Sequence, residues 1–530
     1  MKQRKTPADP ARSFAEEMAR LAKKVPPAKR DEAIIGRTMF DAPGSEDMTL
    51  TVLLSQDRVH VAPSQSLVRI KSKREDEPER SYLGVVEAGP FAEPDSLRAD
   101  SPILLAVATQ QAEYLPRYHG RIQVKLLGEE AGGGLIPPRL RPLPHSPVTL
   151  LPEEETAAVL KCGGDIRLGL AVGHDGIVVG VPSASKDVLP RHTAVLGTTG
   201  GGKTTTVSAL IREASAAGMA VVVLDVEGEY TRLHEPNADP RFVSMLEDRG
   251  LKPAGVGKMA VRHLVGRDTT NPKHPALSSF CLQWARLSPY AAMAMLDLND
   301  AQGERFLFAY DAAKELMRTL GLFPRKGAAP EELARQERIA ERLDEFERGY
   351  PRMTLSFLLD VVEACKGKAS KTAGREPYNP ELRSEEGKAA LKRLLDARDV
   401  PTNVASWGKV QSVLWRLHRL GVFDNRRTGA APLIYKEMLK PGQVSVIDLS
   451  DAGMSELSSI AVADVLRGIQ EEQDRAYRER DGGGAPPPRV LIVLEEAHEY
   501  VGADRIKDSP PLYERVSRLA KLGRKRRLGL

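Results

Sequence analysis

The amino-acid sequence predicts a multidomain fold. A small N-terminal β-barrel precedes an α/β core built on a mainly parallel sheet, and a large helical insertion interrupts that core. Three observations predict it. Short apolar runs separated by turn residues crowd the stretch from 33 to 185. A glycine-rich loop at 197–204 stands between a strand-like run and a helix-like one. Uniformly apolar runs, VVVL at 221–224 and VLIVL at 490–494, lie on either side of a long region with helical periodicity. With 530 residues, the chain is long enough for roughly three or four folding units of ordinary size.

A hydrophobic content of 41% with 28% charged residues is that of a globular chain. Net charge is only +5, so no whole-molecule field argues for a nucleic-acid partner, and such a partner would be met by a local basic surface. Cys162, Cys281 and Cys365 lie far apart without CxxC spacing, which excludes a zinc ribbon and a disulfide framework and suits a reducing compartment. Isolated cysteines of this kind are ordinarily small core residues. No window comes near the roughly 18 apolar residues of a membrane helix. The basic start MKQRKTPADPARSF has no apolar stretch behind it, so it is no secretory signal, and the chain reads as cytoplasmic with no membrane partner.

Residues 1–32 read as a basic arm with a short helix around FAEEMARLAKK. From 33 to 185 the runs LTVLL (50–54), VHVA (59–62), LVRI (67–70), YLGVVEAG (82–89), ILLAVA (103–108), RIQVKLLG (121–128), IRLGLAV (166–172) and GIVVGVP (176–182) each read as a strand. Many short strands with turn signals between them predict an antiparallel barrel or sandwich. The α/β core occupies 186–230 and 436–530. It takes HTAVLG (192–197), MAVVVLDVEGEY, GQVSVIDLS (442–450) and VLIVL as strands, with helices from TTTVSALIREASAAG and SSIAVADVLRGIQEEQDRAYRER. Apolar runs with little alternation suit strands buried on both faces of a parallel sheet. Residues 231–435 read as the helical insertion, for example at 306–323, 355–365 and 410–423. In the last of these Val410, Val413, Leu414 and Leu417 share one face at helical spacing and read as packing, as do Trp415 and Leu420.

Gly197-Thr198-Thr199-Gly200-Gly201-Gly202-Lys203-Thr204 matches GxxxxGK followed by Ser or Thr, with a strand-like run before it and a helix-like run after. Each residue type has a physical reason. The glycines let main-chain N–H groups turn inward around a phosphate. Lys203 brings a positive charge to the outer phosphates, and the Thr204 hydroxyl can ligate Mg2+. The helix that follows, through Thr205, points its positive dipole end at the anion. ATP with Mg2+ is the expected cofactor. Such a site also needs carboxylates at neighbouring strand ends. Glu495 and Glu496 follow an apolar strand directly, with Glu495 on the magnesium side and Glu496 polarising water. Asp225 and Glu229 are expected at the same sheet edge, where acidic residues also cap turns. The C-terminal RLAKLGRKRRLGL reads either as a basic helix end or as a source of an arginine for a γ-phosphate.

RHTAVLGTTGGGKTTT, VVVLDVEGEY, VSVIDLS, LIVLEEAHEY and RLAKLGRKRRLGL, in that order, together resemble the HerA family of hexameric DNA-translocating ATPases, related to the FtsK motors. The resemblance implies a RecA-like core, a so-called HAS barrel ahead of it and an inserted helical bundle. It assigns Lys203 and Thr204 to phosphate and magnesium, Glu496 to water activation, and Arg524 and Arg191 to arginine fingers at a subunit boundary. It implies a homo-hexamer threading double-stranded DNA, with a NurA-like nuclease or a Sir2-like or other effector as partner in DNA end processing or phage defence. The family continues beyond RLGL into a further strand and closing helices, so the core is expected to be incomplete at its C-terminal end. Glu495 stands where many P-loop enzymes have Asp. A nucleotide-dependent assembly scaffold and a conjugation or secretion coupling ATPase are the alternatives.

Overall fold

A computed structural model describes residues 33–41, 46–75, 77–95, 117–185, 188, 192–248, 250–372, 375–425, 429–481, 486–501 and 510–530. The N-terminal arm with its expected helix, the run ILLAVA and Arg191 lie outside the described residues. Two compact units divide the chain, one of residues 1–163 and 169–180, the other of 164–168 and 181–530.

In the first unit, β1 (Ile34–Thr38), β2 (Thr49–Leu54), β3 (Leu67–Ser72), β4 (Arg80–Pro94), β5 (Tyr118–Ala131), β6 (Gly134–Ile136) and β7 (Pro147–Leu150) make one antiparallel sheet. Its order is β2-β1-β7-β3-β4-β5, and β5 pairs back onto β2, so six strands close a barrel with β6 appended at β5. Closure removes the free edges that an open sheet would expose. Alternation sets the inside: Leu50, Val52 and Leu54 of β2 are buried with Ile122 and Val124 of β5, while their neighbours are partly exposed. Two expected strands differ. VHVA at 59–62 is a turn, because Arg58 N and Val61 N bond locally to Ser55 O and Arg58 O, although Val59 and Ala62 are buried. The runs at 166–172 and 176–182 form β8 (Ile166–Ala171) and β9 (His174–Val181), a separate two-stranded ribbon outside the barrel.

The second unit carries β10 (Ala220–Asp225), β11 (Met259–Leu264), β12 (Leu277–Phe280), β13 (Val444–Asp448), β14 (Val490–Leu494) and β15 (Leu528–Gly529). Their order is β12-β11-β13-β10-β14-β15, and every pair is parallel. β10 is buried along its whole length, as a double-covered parallel strand must be. Its two faces go to different layers. Val221 and Val223 pack with Ile211 and Ala214 of α1 (Lys203–Ala216). Ala220, Val222 and Leu224 join the core of a helical layer built from α2 (Asp300–Thr319), α3 (Leu355–Ser370), α4 (Glu385–Asp396), α5 (Val404–Leu420), α6 (Ser455–Asp481) and α7 (Pro510–Arg526). Local chemistry starts and stops these helices. Asn299 forms a capping box at α2, Asn403 caps α5 through Ser406 N, and α5 ends on Gly421 at φ 67°. The apolar face of α5 is buried as its spacing predicts, and all three cysteines are buried and unpaired.

Two sheet strands, β11 and β12, fall inside the range 231–435 that reads as the helical insertion. Arg262 and His263 interrupt the apolar pattern of β11, yet the strand is held between β12 and β13. The expected strand HTAVLG is an unpaired stretch instead. Its one ladder-like bond is Thr193 N to Leu530 O (2.9 Å), because neighbouring β15 offers only two residues.

Trp407 of α5 is fully buried, donates Nε1 to Pro401 O at 2.7 Å and meets Phe308 edge-on. Trp407→Ala is expected to lower stability by about 3–5 kcal/mol through the cavity it leaves, seen as a lower urea midpoint, while Trp407→Phe costs less.

Candidate functional site

The glycine-rich loop opens α1. Gly200 and Gly202 sit at φ 76° and 83°, the left-handed region where only glycine is unstrained. Gly201 N turns back to Thr198 O (3.0 Å). Gly202 is the N-cap of α1 and supplies no side-chain oxygen, so the first N–H donors of the helix are left for an outside acceptor. Lys203 Nζ rests on two loop carbonyls, Gly197 O at 3.2 Å and Thr198 O at 3.3 Å. Thr199 and Thr205 are exposed beside them. Such a loop fits phosphates: the first N–H donors of the helix have no side-chain cap and the loop's own charge, Lys203, is cationic.

Carboxylates gather at the carboxyl ends of the three central strands. Asp225 of β10 is level with Asp448 of β13 in the parallel register, and Glu495 directly follows β14 on the other side, where its N–H donates to Leu224 O. Asp225 is fully buried and accepts three main-chain N–H bonds, from Gly228 (2.7 Å), Glu229 (3.1 Å) and Tyr230 (2.9 Å). Glu495 Oε2 accepts from Val226 N (2.9 Å) and Glu227 N (3.0 Å), and its carboxyl lies against that of Asp225. Asp448 accepts from Thr269 Oγ1 (2.6 Å), Thr270 N and Ser450. Thr270 in turn donates to Gly228 O and meets the Thr231 hydroxyl. The turn 226–231 is thereby tied from three strands.

That turn delivers Glu229 to the loop: Thr204 Oγ1 donates to Glu229 Oε2 at 2.6 Å. The structure therefore pairs Thr204 with Glu229, while Glu495 is committed to the turn beneath. Burial pushes the Glu495 carboxyl up to about 8, with the Asp225 bond and charge next in size. Burial also raises Asp225. One proton between the two satisfies both, and Glu495 holds it, since Asp225 has the three N–H donors that favour an anion.

Glu496 is partly exposed at the same edge, with φ 45°, a left-handed conformation that costs a non-glycine residue. His498 Nδ1 lies 3.1 Å from its Oε2. Arg524 is in α7, whose side-chain placement there is outside the described residues, as is Arg191 altogether. The chain beside both does meet. His192 Nε2 bonds Ala520 O (2.9 Å), one turn before Arg524. Sequence reasoning missed Asp448, Thr269 and Thr270; the signal was the Asp that ends the apolar run VSVID, as Asp225 ends VVVLD.

The family described as "Helicase HerA, central domain" matches residues 166–469. The chain is 31% identical over 120 residues to the probable DNA double-strand break repair helicase HerA of Methanocaldococcus jannaschii, covering 23% of this chain and 24% of that one. It is 32% identical over 153 residues to the DNA double-strand break repair helicase HerA of Sulfurisphaera tokodaii, covering 26% and 30%. These alignments span less than a third of the relatives' own length. VirB4 of Thermoanaerobacter pseudethanolicus matches at 16% identity over 69% of this chain and 75% of that one, with a TM-score of 0.33, too low to carry an argument.

The raised Glu495 carboxyl has a consequence for stability. With its carboxyl at about 8 against an ordinary 4.5, Glu495 binds a proton in the folded chain that the unfolded chain releases. The stabilisation is complete below pH 4.5 and is lost as pH rises through 8. Melting temperatures across this window are expected to fall for the wild type and to fall less for Glu495→Gln, which keeps a neutral donor toward Asp225.

Proposed function

The chain belongs to the HerA helicase family, whose central domain accounts for more than half of its length, and we propose from this premise that it is an ATPase that drives translocation along double-stranded DNA. The carrying observation is the meeting of an uncapped helix N-terminus, Lys203 and a carboxylate-held Thr204 at the carboxyl edge of a parallel sheet. Open parallel sheets bind ligands at that edge, where strand order reverses.

In this reading the N–H groups from Gly197 to Gly202, with Thr205 behind them, wrap the phosphates. Lys203 exchanges its two carbonyl seats for phosphate oxygens. Thr204, with Glu229 beside it, would hold Mg2+, and Glu495 positions that carboxylate through the turn 226–231. ATP with Mg2+ supplies the transferable phosphoryl group and the cation that offsets charge on its oxygens. Glu496 orients the attacking water and takes its proton, and its left-handed backbone is strain of the kind that gathers at functional sites. Arg524 and Arg191 act as arginine fingers toward a neighbouring subunit of a hexameric ring, as the family resemblance implies. The barrel, expected over 33–185, plays the part of the HAS barrel. The protein works in the cytoplasm with a nuclease or another effector, in DNA end processing or phage defence. Among the described residues no helix is long and apolar enough to cross a membrane.

ATP turnover with and without linear duplex DNA tests the reading. Duplex is expected to stimulate turnover, Lys203→Ala to abolish it, and Glu496→Gln to lower it by at least ~100-fold while ATP binding persists. Tight ATP binding without turnover in either condition would replace the motor by a nucleotide-dependent scaffold.

A further inference from the structure

The helical layer presents a basic face that the nucleotide site does not use. Along α5, Lys409, Ser412, Arg416 and Arg419 form one exposed stripe. Among the described residues, Lys409 and Arg416 make no ion pair. Arg419 lies over the Trp415 ring, its Cζ 4.8 Å from the centroid. Trp415 donates Nε1 to Tyr378 Oη (3.1 Å). Arg375 then covers the Tyr378 ring at 4.3 Å and bonds its hydroxyl. His418 packs on the same tyrosine at 4.7 Å. The result is a wall of two aromatic rings, each plated by an arginine.

The wall is firmly held. Tyr378 N and Asn379 N both donate to buried Asp360, at 2.9 and 2.7 Å. A cavity of about 460 Å³ lies on the Trp415 side, with Lys366 and Arg375 in its rim. Another of about 610 Å³ lies on the Tyr378 side, with Arg352, Arg383 and His418. Two carboxylates in these walls are already engaged. Glu363 accepts from Gln411, and Asp424 accepts from Trp284 N and Leu355 N. Glu381 shares the larger cavity with Arg383.

A guanidinium stacked on a ring keeps its N–H donors in plane and loses little entropy on binding, because its position is already set. Such a fork matches the oxygens of phosphate and carboxylate alike, and a phosphodiester backbone repeats that group at the spacing of an extended basic stripe. Bases are poorly served, since Arg375, Arg419 and His418 occupy the ring faces that bases would stack on. We infer that the face formed by α5 and the Arg375–Tyr378 segment is a DNA contact, outside the ATPase site, that grips the phosphodiester backbone without reading sequence. The inference rests on the proposal that the protein works on DNA.

The test is DNA binding by the full chain and by Arg375→Ala/Arg416→Ala/Arg419→Ala, with a labelled linear duplex and the matching single strand over a series of salt concentrations. A fluorescent ATP analogue and a melting curve confirm that the variant is folded and that the P-loop is intact. The variant is expected to bind both DNAs more weakly, with a log–log salt slope smaller by about 1 for each arginine removed, and to bind the ATP analogue unchanged. Arg416→Ala alone, at an exposed position, is expected to lower the slope by about 1. Unchanged affinity and slope, beside a wild type that binds DNA, would overturn this inference and leave the DNA reading standing. A wild type that binds the ATP analogue but no DNA would remove both. Loss confined to the single strand would mean base stacking, and polyglutamate competing as well as DNA would mean an acidic protein partner; either overturns the backbone contact.

Discussion

A carboxylate buried at a strand end must find hydrogen-bond donors, because an unpaired one costs several kcal/mol in a dry interior, of order ~5 or more. Asp225 finds three in the main chain that follows it, and the rest of the site depends on that wrapping. The turn cannot relax without leaving Asp225 unsatisfied. Glu495 adds two bonds from the strand on one side, and Asp448 holds the loop after β11 from the strand on the other. Gly228 is pressed so near Thr270 that a Cβ there would come within 2.3 Å of its methyl. The outcome of this buried network is visible only at the surface, where Glu229 meets Thr204.

The same strand joins the two layers. Successive side chains of β10 point to opposite faces, so Val221 and Val223 support the P-loop helix while Val222 and Leu224 root the helical layer. The insertion therefore covers one face of the sheet as part of a single core. Residues of α2, α3 and α5 share one packed core with Val222 and Leu224 of the strand that ends at Asp225. The basic face on α5 stands on that same layer.

Much of this was legible in the primary structure. The P-loop pattern, the run VLIVL followed by Glu495–Glu496 and the unbroken apolar run VVVL ahead of Asp225 each encode their own geometry, since glycine freedom and double-sided burial leave a local signature. The α5 face was equally plain at helical spacing. Strand identity failed where it depended on a partner. VHVA and HTAVLG have the right composition, yet one bonds locally and the other has only two residues beside it, whereas β11 with its Arg262 and His263 is a strand because two neighbours hold it.

The sequence by itself determined which residues could bind phosphate, which runs would be buried and which side chains could carry acid–base chemistry, because those properties belong to single residues and short spacings. Only the tertiary structure decided that Glu229, and not Glu495, meets Thr204. It also decided that Asp448 belongs to the site and that Trp415 and Tyr378 share a wall. Each of these is a contact between segments far apart in the chain, and its geometry is set by strand order and by where buried carboxylates find their donors.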